Sequence, residues 1–179
     1  FDTIIKFMDG PLKNILVVDL TRVLVGPYCT MILSDLGARV IKIEAPEVGD
    51  DSRKFGPFIK ENSAYFMSLN RGKESIALNL KNNEDKKIFL DILEKADVLV
   101  ENFKPGTLEK WGFGWKIICK KFPKLIYASA SGFGQTGPLK ELPAYDMVVQ
   151  GMGGLMSVTG QPNSEPTRVG TSIGDITAA

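Results

Sequence analysis

The chain has 179 residues, of which 44% are hydrophobic and 24% charged, and its formal net charge is +1. This balance is ordinary for a globular protein of about one domain and gives no sign of a nucleic-acid or membrane-surface partner. Because the chain has no histidine, Ser-His and Cys-His nucleophiles and histidine metal sites are excluded from these residues.

The two cysteines, Cys29 and Cys119, are far apart and have no metal-ligand spacing. Lone thiols are typical of a reducing compartment, so we expect a cytoplasmic protein, or a mitochondrial-matrix protein if the source is eukaryotic. No apolar run approaches the ~18 residues that a membrane span needs. The start FDTIIKF is unlike a transit peptide, Met8 is a candidate start, and we expect residues 1–11 to be an N-terminal extension.

The first elements in chain order form a strand, a helix and a strand. Residues 14–20, NILVVDL, are β-branched and leucine-rich, which is typical of a strand buried on both faces. The following helix is expected to have Pro27 in its first turn and Gly37 at its C-terminal cap. Residues 38–44, ARVIKIE, predict a second strand, so the unit is βαβ.

The middle of the chain is less regular. Residues 45–62 are polar and predict a loop. Residues 63–81 contain two short strand-like runs around a turn signal, NRGK. Residues 82–96 predict the clearest helix, since apolar side chains recur there at helical spacing. These side chains are Ile88, Phe89, Ile92, Leu93 and Ala96.

The remaining elements continue the alternation. Residues 97–101, DVLVE, predict a strand, and residues 124–129, KLIYAS, another, with a short helix and loop between them. A glycine-rich segment and a helix-like stretch, YDMVVQGMGGLM, follow, and the last 30 residues are loop-rich. Strands that alternate with helices predict an α/β fold with a mostly parallel sheet.

The standard nucleotide fingerprints are absent. The first strand-to-helix turn, DLTRVLVGP, has one glycine, so it is neither G-x-G-x-x-G nor a P-loop, and alone it indicates a packing turn. The glycines of SGFGQTGP suit either close approach to a ligand or a flexible connector. The cations Lys73, Lys81, Lys104 and Lys110 follow strand signals and could meet phosphates, although a solvated face is the simpler interpretation.

The acidic residue near the end of the chain, Asp175, has two compatible interpretations. GDITAA is typical of an aspartate N-cap that opens a helix. The N–H groups of such a helix end would make the carboxylate more acidic and keep it ionised, which also suits a nucleophile.

Seven stretches, in order, resemble the class III CoA-transferases, the family of formyl-CoA transferase, carnitine CoA-transferase and succinyl-CoA:glutarate CoA-transferase. They are VVDLTRVLVGPYCTMILSDLGARVIKIE, GDDSR, SLNRGKESIALNLK, ADVLVENFKPGTLEKWGFGW, SGFGQTGP, YDMVVQGMGGLMSVTG and GTSIGD. The resemblance implies a Rossmann-like sheet with flanking helices. Family members are much longer and form interlocked homodimers, so it also implies that residues 12–179 are the N-terminal part of the large domain of such a subunit.

The resemblance implies that Asp175 is the catalytic nucleophile. In this family the aspartate attacks an acyl-CoA thioester, forms a mixed anhydride and then an aspartyl-CoA thioester, and passes CoA to a carboxylic acid. CoA and acyl-CoA are substrates, and neither a metal nor a tightly bound cofactor is implied. GLMSVTG resembles the dicarboxylate-type members, which favours succinyl-CoA as donor.

The resemblance also implies where CoA binds. It assigns contacts after the first strand, an adenine-side stretch, a stretch at the phosphates and pantetheine, and positions near the thioester. In that order these are Leu24 and Val25; Leu78, Asn79, Leu80 and Lys81; Asn102, Phe103, Lys104 and Lys110; and Tyr145 and Asp146. Ala45 and Pro143 stand where relatives have basic residues, and Lys110 replaces an arginine, which keeps the charge but loses the bidentate fork.

Two alternatives stay open from the sequence. An α-methylacyl-CoA racemase of the same fold would use a histidine where this chain has Tyr145. A non-catalytic CoA-binding fragment would bind without transferring.

Overall fold

The computed structural model describes residues 10–179. Met8 and residues 1–9 of the expected extension lie outside the described residues. Five strands form one parallel sheet in the order β5-β2-β1-β6-β7. Their bounds are β1 (Leu16–Asp19), β2 (Arg39–Glu44), β5 (Glu74–Ala77), β6 (Val98–Glu101) and β7 (Ile126–Ser129). The predicted α/β, Rossmann-like fold is confirmed.

A two-stranded antiparallel hairpin, seven α-helices and two 3-10 turns complete the elements of residues 10–179. The hairpin consists of β3 (Phe58–Ile59) and β4 (Asn62–Ser63). The helices are α1 (Val25–Asp35), α2 (Ala64–Asn70), α3 (Asn83–Leu93), α4 (Thr107–Trp111), α5 (Trp115–Lys121), α6 (Asp146–Met152) and α7 (Ile173–Ala178). Single 3-10 turns cover Asp51–Lys54 and Leu155–Val158. None of the helices in residues 10–179 has the length and apolarity to cross a membrane.

The sheet is buried on both faces at its centre. Neighbouring residues of β1 point to opposite faces, so Val18 joins a large apolar cluster with Phe89 and Leu99, while Val17 joins a smaller one with Val40. Val17 and Val18 are fully buried. This double burial is what the continuous apolar run of residues 14–20 predicts.

Three local predictions fail or need refinement. The prediction of a strand in the first part of residues 63–81 is wrong, because Ala64–Asn70 is helix α2. Ser63 explains the difference, since its Oγ accepts the N–H of Phe66 at 3.0 Å and caps the helix. The predicted loop of residues 45–62 contains a 3-10 turn, strand β3 and the first residue of β4. In α3, Phe89 and Leu93 are buried as predicted, whereas Ile88 is 43% exposed.

Candidate active site

The site is built at the edge of the sheet where the strands end. From β1 the strand order runs one way through β2 to β5 and the other way through β6 to β7, so the order reverses between β1 and β6. In doubly wound sheets ligands bind in the crevice outside the carboxyl ends at this point. The turn after β1 leads to Leu24 and Val25, and the turn after β6 begins at Asn102. Residues that the resemblance assigned to one ligand therefore meet here.

The side chain of Asn102 joins the two turns. Its Oδ1 accepts the N–H of Arg22 at 2.8 Å, and its Nδ2 donates to the carbonyl of Arg22 at 2.8 Å. Both partners belong to the main chain 80 residues away. The amide of Asn102 thus links the turn after β6 to the turn after β1.

A cleft of about 250 Å³ opens at this edge between the segments that follow β1, β2 and β5. Its lining includes all four residues of the predicted adenine-side stretch, 78–81, together with Phe103 and Ala45. Leu78 and Leu80 are buried, and Lys81 is exposed. Phe103 packs edge-on against Trp111 with ring centroids 5.2 Å apart. The structure therefore brings the adenine-side stretch and Phe103 into one cleft.

The other predicted CoA residues do not line this cleft. Lys104 lines a larger cleft of about 910 Å³ on the β7 side, together with Glu101, Ser129 and the glycine-rich loop at Gln135. The remaining predicted residues line neither cleft. Leu24 and Val25 are half-buried at the start of α1, Lys110 is exposed on α4, and Tyr145 is 74% exposed just before α6.

The structure removes one cation from the candidate phosphate ligands. The side chain of Lys73 is 1% exposed, and its Nζ lies 3.0 Å from Asp19 Oδ2. The same ammonium donates to the carbonyl of Pro27 and to Oδ1 of Asn70, both at 2.9 Å. Burial lowers the pKa of Lys73 to about 8, although Asp19 favours the charged form. The suggestion that Lys73 meets a phosphate is wrong, because its donors are all used inside the protein.

Two further ion pairs lie beneath the same edge. Lys42 and Asp50 are buried with Nζ and Oδ2 2.9 Å apart. Glu44 is buried and accepts two hydrogen bonds from the guanidinium of Arg53, both at 2.7 Å. Burial raises the pKa of Glu44, but the bonds from Arg53, the Ser75 hydroxyl and the Asp50 N–H outweigh it and hold that pKa at about 2.

Sequence reasoning passed over these buried charges. The available signal was a charged residue within an otherwise apolar strand, as at Lys42 in ARVIKIE. Such a charge is almost never fully buried unless it is paired. The partner, however, comes from another element, so the pattern of one strand does not name it.

The predicted nucleophile lies near the start of the last helix. Asp175 is the third residue of α7, and the N-cap position belongs to Ser172. The prediction that Asp175 is the N-cap is therefore wrong. The carboxylate is half-buried within the first helical turn.

Asp146 lies beside Asp175 and holds its helix. Oδ1 of Asp146 accepts the N–H of Gly174 at 2.8 Å, and Oδ2 accepts from Nε2 of Gln150 at 2.7 Å. Gln150 is 1% exposed, and its Oε1 accepts the N–H of Val169 at 2.9 Å. These bonds tie α6 to the segment that leads into α7. Sequence analysis named Asp146 but missed Gln150.

The electrostatics of Asp175 are opposite to those expected. Burial, and next the charge of Asp146, raise the pKa of Asp175 above its usual value. The prediction of a more acidic carboxylate is wrong, because burial and the charge of Asp146 both raise the pKa, and the Gly174 N–H of this helix end donates to Asp146. No cation pairs with Asp175 among residues 10–179.

Tyr65 is a further side chain near the carboxylate. Burial raises the pKa of Tyr65, and the charges of Asp175 and then Asp50 raise it further. Tyr65 therefore lies within electrostatic reach of both acids. Sequence analysis missed it because the segment that contains it was predicted as a strand.

No metal centre accompanies these acids in the part of the chain that the structure describes. Residues 10–179 contain no group of three or more cysteine, aspartate or glutamate side chains that could hold a metal ion.

Comparison with known proteins places this architecture in a family. The model of CoA-transferase family III matches residues 12–179. The chain belongs to this family. It is 57% identical over 168 residues to the acetyl-CoA:oxalate CoA-transferase of Acetobacter aceti, covering 93% of this chain and 43% of that protein. It is 46% identical over 167 residues to the succinyl-CoA:glutarate CoA-transferase of Mus musculus, covering 93% and 38%.

The fold agrees with a solved structure of the same kind. A CAIB/BAIF family protein from Brucella suis is 43% identical and superposes with a TM-score of 0.88 over 94% of this chain and 46% of that one. This family III chain thus spans less than half the length of the relatives that it matches. It corresponds to their N-terminal part.

Proposed function

We propose that this chain supplies the CoA-binding and nucleophile-bearing part of a CoA-transferase, which moves CoA from an acyl-CoA to a carboxylic acid. One observation carries the proposal: Asp175 is a half-buried carboxylate beside Asp146, with no cation paired to it among residues 10–179. A carboxylate that is not neutralised keeps its electron pairs free for attack on a carbonyl carbon.

The proposed reaction has four balanced steps. An oxygen of Asp175 attacks the thioester carbonyl of the donor, the C–S bond breaks, and CoA leaves as a thiolate from a mixed anhydride. The thiolate attacks the aspartyl carbonyl and releases the donor acid, which leaves an aspartyl-CoA thioester. The acceptor carboxylate attacks this thioester, and the released thiolate then attacks the acceptor's acyl carbonyl. The products are a new acyl-CoA and the free Asp175 carboxylate.

We place CoA along the carboxyl edge of the sheet. The cleft that contains residues 78–81 and Phe103 suits an adenine, since it offers apolar and aromatic walls at the switch point. Lys104 and Lys110 are exposed and are the chain neighbours of Phe103 and Trp111, which line the cleft. We assign these two cations to the phosphates. Asn102 remains part of the proposed CoA site, with its amide engaged on Arg22.

We propose a short dicarboxylic acid as acceptor. The two relatives described above are named for oxalate and glutarate, and another, from Haloarcula marismortui, is named succinyl-CoA:mesaconate CoA-transferase. Succinyl-CoA is the donor that the sequence favoured, and acetyl-CoA is its rival. Rates with both donors against a panel of mono- and dicarboxylic acids will decide between them.

We also propose that the whole protein is a homodimer of the interlocked type and works in a reducing compartment, the cytoplasm or the mitochondrial matrix. Support for assembly comes from large side chains exposed on and around α6. Met147 is 56% exposed, Met152 63% and Val158 82%. Exposed apolar patches of this kind mark surfaces that a partner covers.

The covalent intermediate provides the test. In the whole protein incubated with acyl-CoA, we expect intact mass to show a hydroxylamine-sensitive CoA adduct. Asp175→Asn should form no adduct and should lose transfer by about 1,000-fold or more, the scale of removing a nucleophile. It should still bind CoA, and its Tm should not fall, because the raised pKa shows that burial disfavours the charged carboxylate.

The matched control is Glu165→Gln, which removes the preceding acid, an exposed one, and should leave adduct and rate intact. A well-folded Asp175→Asn that transfers CoA near the wild-type rate would overturn the assignment. An unchanged mass of the wild type with substrate would favour a non-catalytic CoA-binding chain.

A further inference from the structure

The turn between β1 and α1 is held by side chains from elsewhere in the fold. The carbonyl of Thr21 accepts from Nζ of Lys42 at 2.7 Å. The N–H and carbonyl of Arg22 both bond to the Asn102 amide, and the N–H of Val23 donates to Oδ1 of Asp50 at 3.2 Å. Main-chain groups of three consecutive residues are therefore fixed by side chains rather than by secondary structure.

This turn contains a backbone conformation that its own sequence disfavours. Val23 has a φ of +68°, in the left-handed region. For a β-branched residue this is a genuine outlier, because Cβ crowds the neighbouring carbonyl. Such a conformation persists only where the surroundings enforce it, and it is typical of functional sites.

The side chains that hold the turn are themselves fixed from within the protein. Lys42 and Asp50 are 1% and 0% exposed and pair with each other. Oδ1 of Asp50 also accepts the N–H and the hydroxyl of Ser52 at 2.9 and 2.7 Å. The turn is thus held in its strained form before any ligand arrives.

The strained turn leads directly into the proposed CoA site. Leu24 and Val25 follow Val23, and Arg22 and Thr21 line the cleft. Gly26 lies so close to the side chain of Thr21 that a Cβ there would collide with it. A change of φ at Val23 would therefore move the start of α1 and the cleft wall together.

We infer that Asn102 and the Lys42–Asp50 pair are positioning residues that hold the strained Val23 turn in the form that receives CoA. This inference rests on the proposed function. Asn102 then acts through the main chain of Arg22, rather than through a contact between its amide and CoA.

A double-mutant cycle with glycine distinguishes these two roles. Glycine adopts a positive φ without steric cost, so a turn with Val23→Gly needs less external support. In the whole protein we expect Asn102→Ala to weaken CoA binding about 10-fold, because the competent turn becomes a minor state. In the Val23→Gly background the same substitution should cost only about 3-fold or less. A direct contact would give the same loss in both backgrounds, and that result would overturn the inference.

Two further measurements make the test independent of folding and of ligand binding. Asn102→Asp keeps an acceptor for the Arg22 N–H, removes the donor to the Arg22 carbonyl and adds a negative charge. If the alanine variant does not fold, Asn102→Asp therefore replaces it only in the exchange measurement, which is made without CoA. Amide exchange at Arg22 and Val23, measured without CoA, should be about 10-fold faster or more in either variant. Unchanged protection there would overturn the inference.

The control is Asn62→Ala, an exposed asparagine whose amide donates to the carbonyl of Lys60 at 3.1 Å in the β3 hairpin. It should change neither CoA affinity nor exchange in the turn. If the wild-type protein binds no CoA, the proposed function is wrong. If the wild type binds CoA but Asn102→Ala weakens CoA binding equally in the two backgrounds, only this inference is wrong.

Discussion

The carboxylates beneath the sheet edge and those where α6 meets α7 differ in their partners. Asp19, Glu44 and Asp50, beneath the sheet edge, each have a cation within 3.0 Å. Asp146 and Asp175, where α6 meets α7, lie beside each other, and no cation pairs with either among residues 10–179. The carboxylates beneath the sheet edge therefore form structural ion pairs, whereas those at α6 and α7 are not neutralised by a cation.

The pKa directions express this difference. Burial raises the pKa of Asp50, but Lys42 and the bonds from Ser52 outweigh it, so the pKa is below its usual value. For Asp175 burial acts in the same direction, the neighbouring charge of Asp146 adds to it, and the pKa is raised. Burial alone does not distinguish the two groups; the sign of the neighbouring charge does.

The largest expected effect comes from removing a cation of the paired group. Lys73→Met leaves the Asp19 carboxylate buried without its ammonium, and breaking a buried pair in this way costs about 3–5 kcal/mol. Urea unfolding of the variant and the wild type measures the loss.

Two controls accompany this prediction. Arg39→Met breaks the exposed Arg39–Glu74 pair of the same sheet and should cost less than about 1 kcal/mol. The double variant Asp19→Asn/Lys73→Met should be more stable than Lys73→Met alone. If the single variant were as stable as the wild type, Asp19 and Lys73 would not be a structural pair.

A smaller effect is expected from the pH dependence of Glu44. Its pKa is about 2 in the folded protein and 4.5 ordinarily, so its contribution is complete above pH 4.5 and is lost as pH falls towards 2. Between pH 7 and pH 3 the wild type should lose about 2 kcal/mol more than Glu44→Gln, which cannot titrate. Unfolding curves at the two pH values check this, and parallel losses in both proteins would contradict it.

The smallest effect concerns the unpaired group. Asp146→Asn keeps an oxygen for the Gly174 N–H but removes the charge that helps to raise the pKa of Asp175. The nucleophile must be ionised, so the acid limb of kcat/KM should move to lower pH. Glu74→Gln, a remote exposed acid, is the control. An acid limb that did not move would show that the charge of Asp146 does not act on the nucleophile.

Much of the fold could be predicted from local patterns. The runs at residues 14–20 and 38–44 contain β1 and β2, because apolar β-branched residues favour a doubly buried strand. The failure at Ala64–Asn70 has a local cause, the Ser63 cap, which the strand-like appearance of the segment obscured. The family resemblance identified Asp175 as the candidate nucleophile. It did not predict that Asp175 lies inside the first turn of α7 rather than at the N-cap.

By itself the sequence determined the alternation of strands and helices, since this depends on residue order. Its resemblance to known proteins indicated the family and the acid that is the candidate nucleophile. Only the tertiary structure decided which charges are paired. It placed Lys73 on Asp19, 54 residues away, and the Asn102 amide on Arg22, 80 residues away. The physical reason is that the energy of a charge depends on its neighbours in space and its burial, and strand order brings those neighbours together.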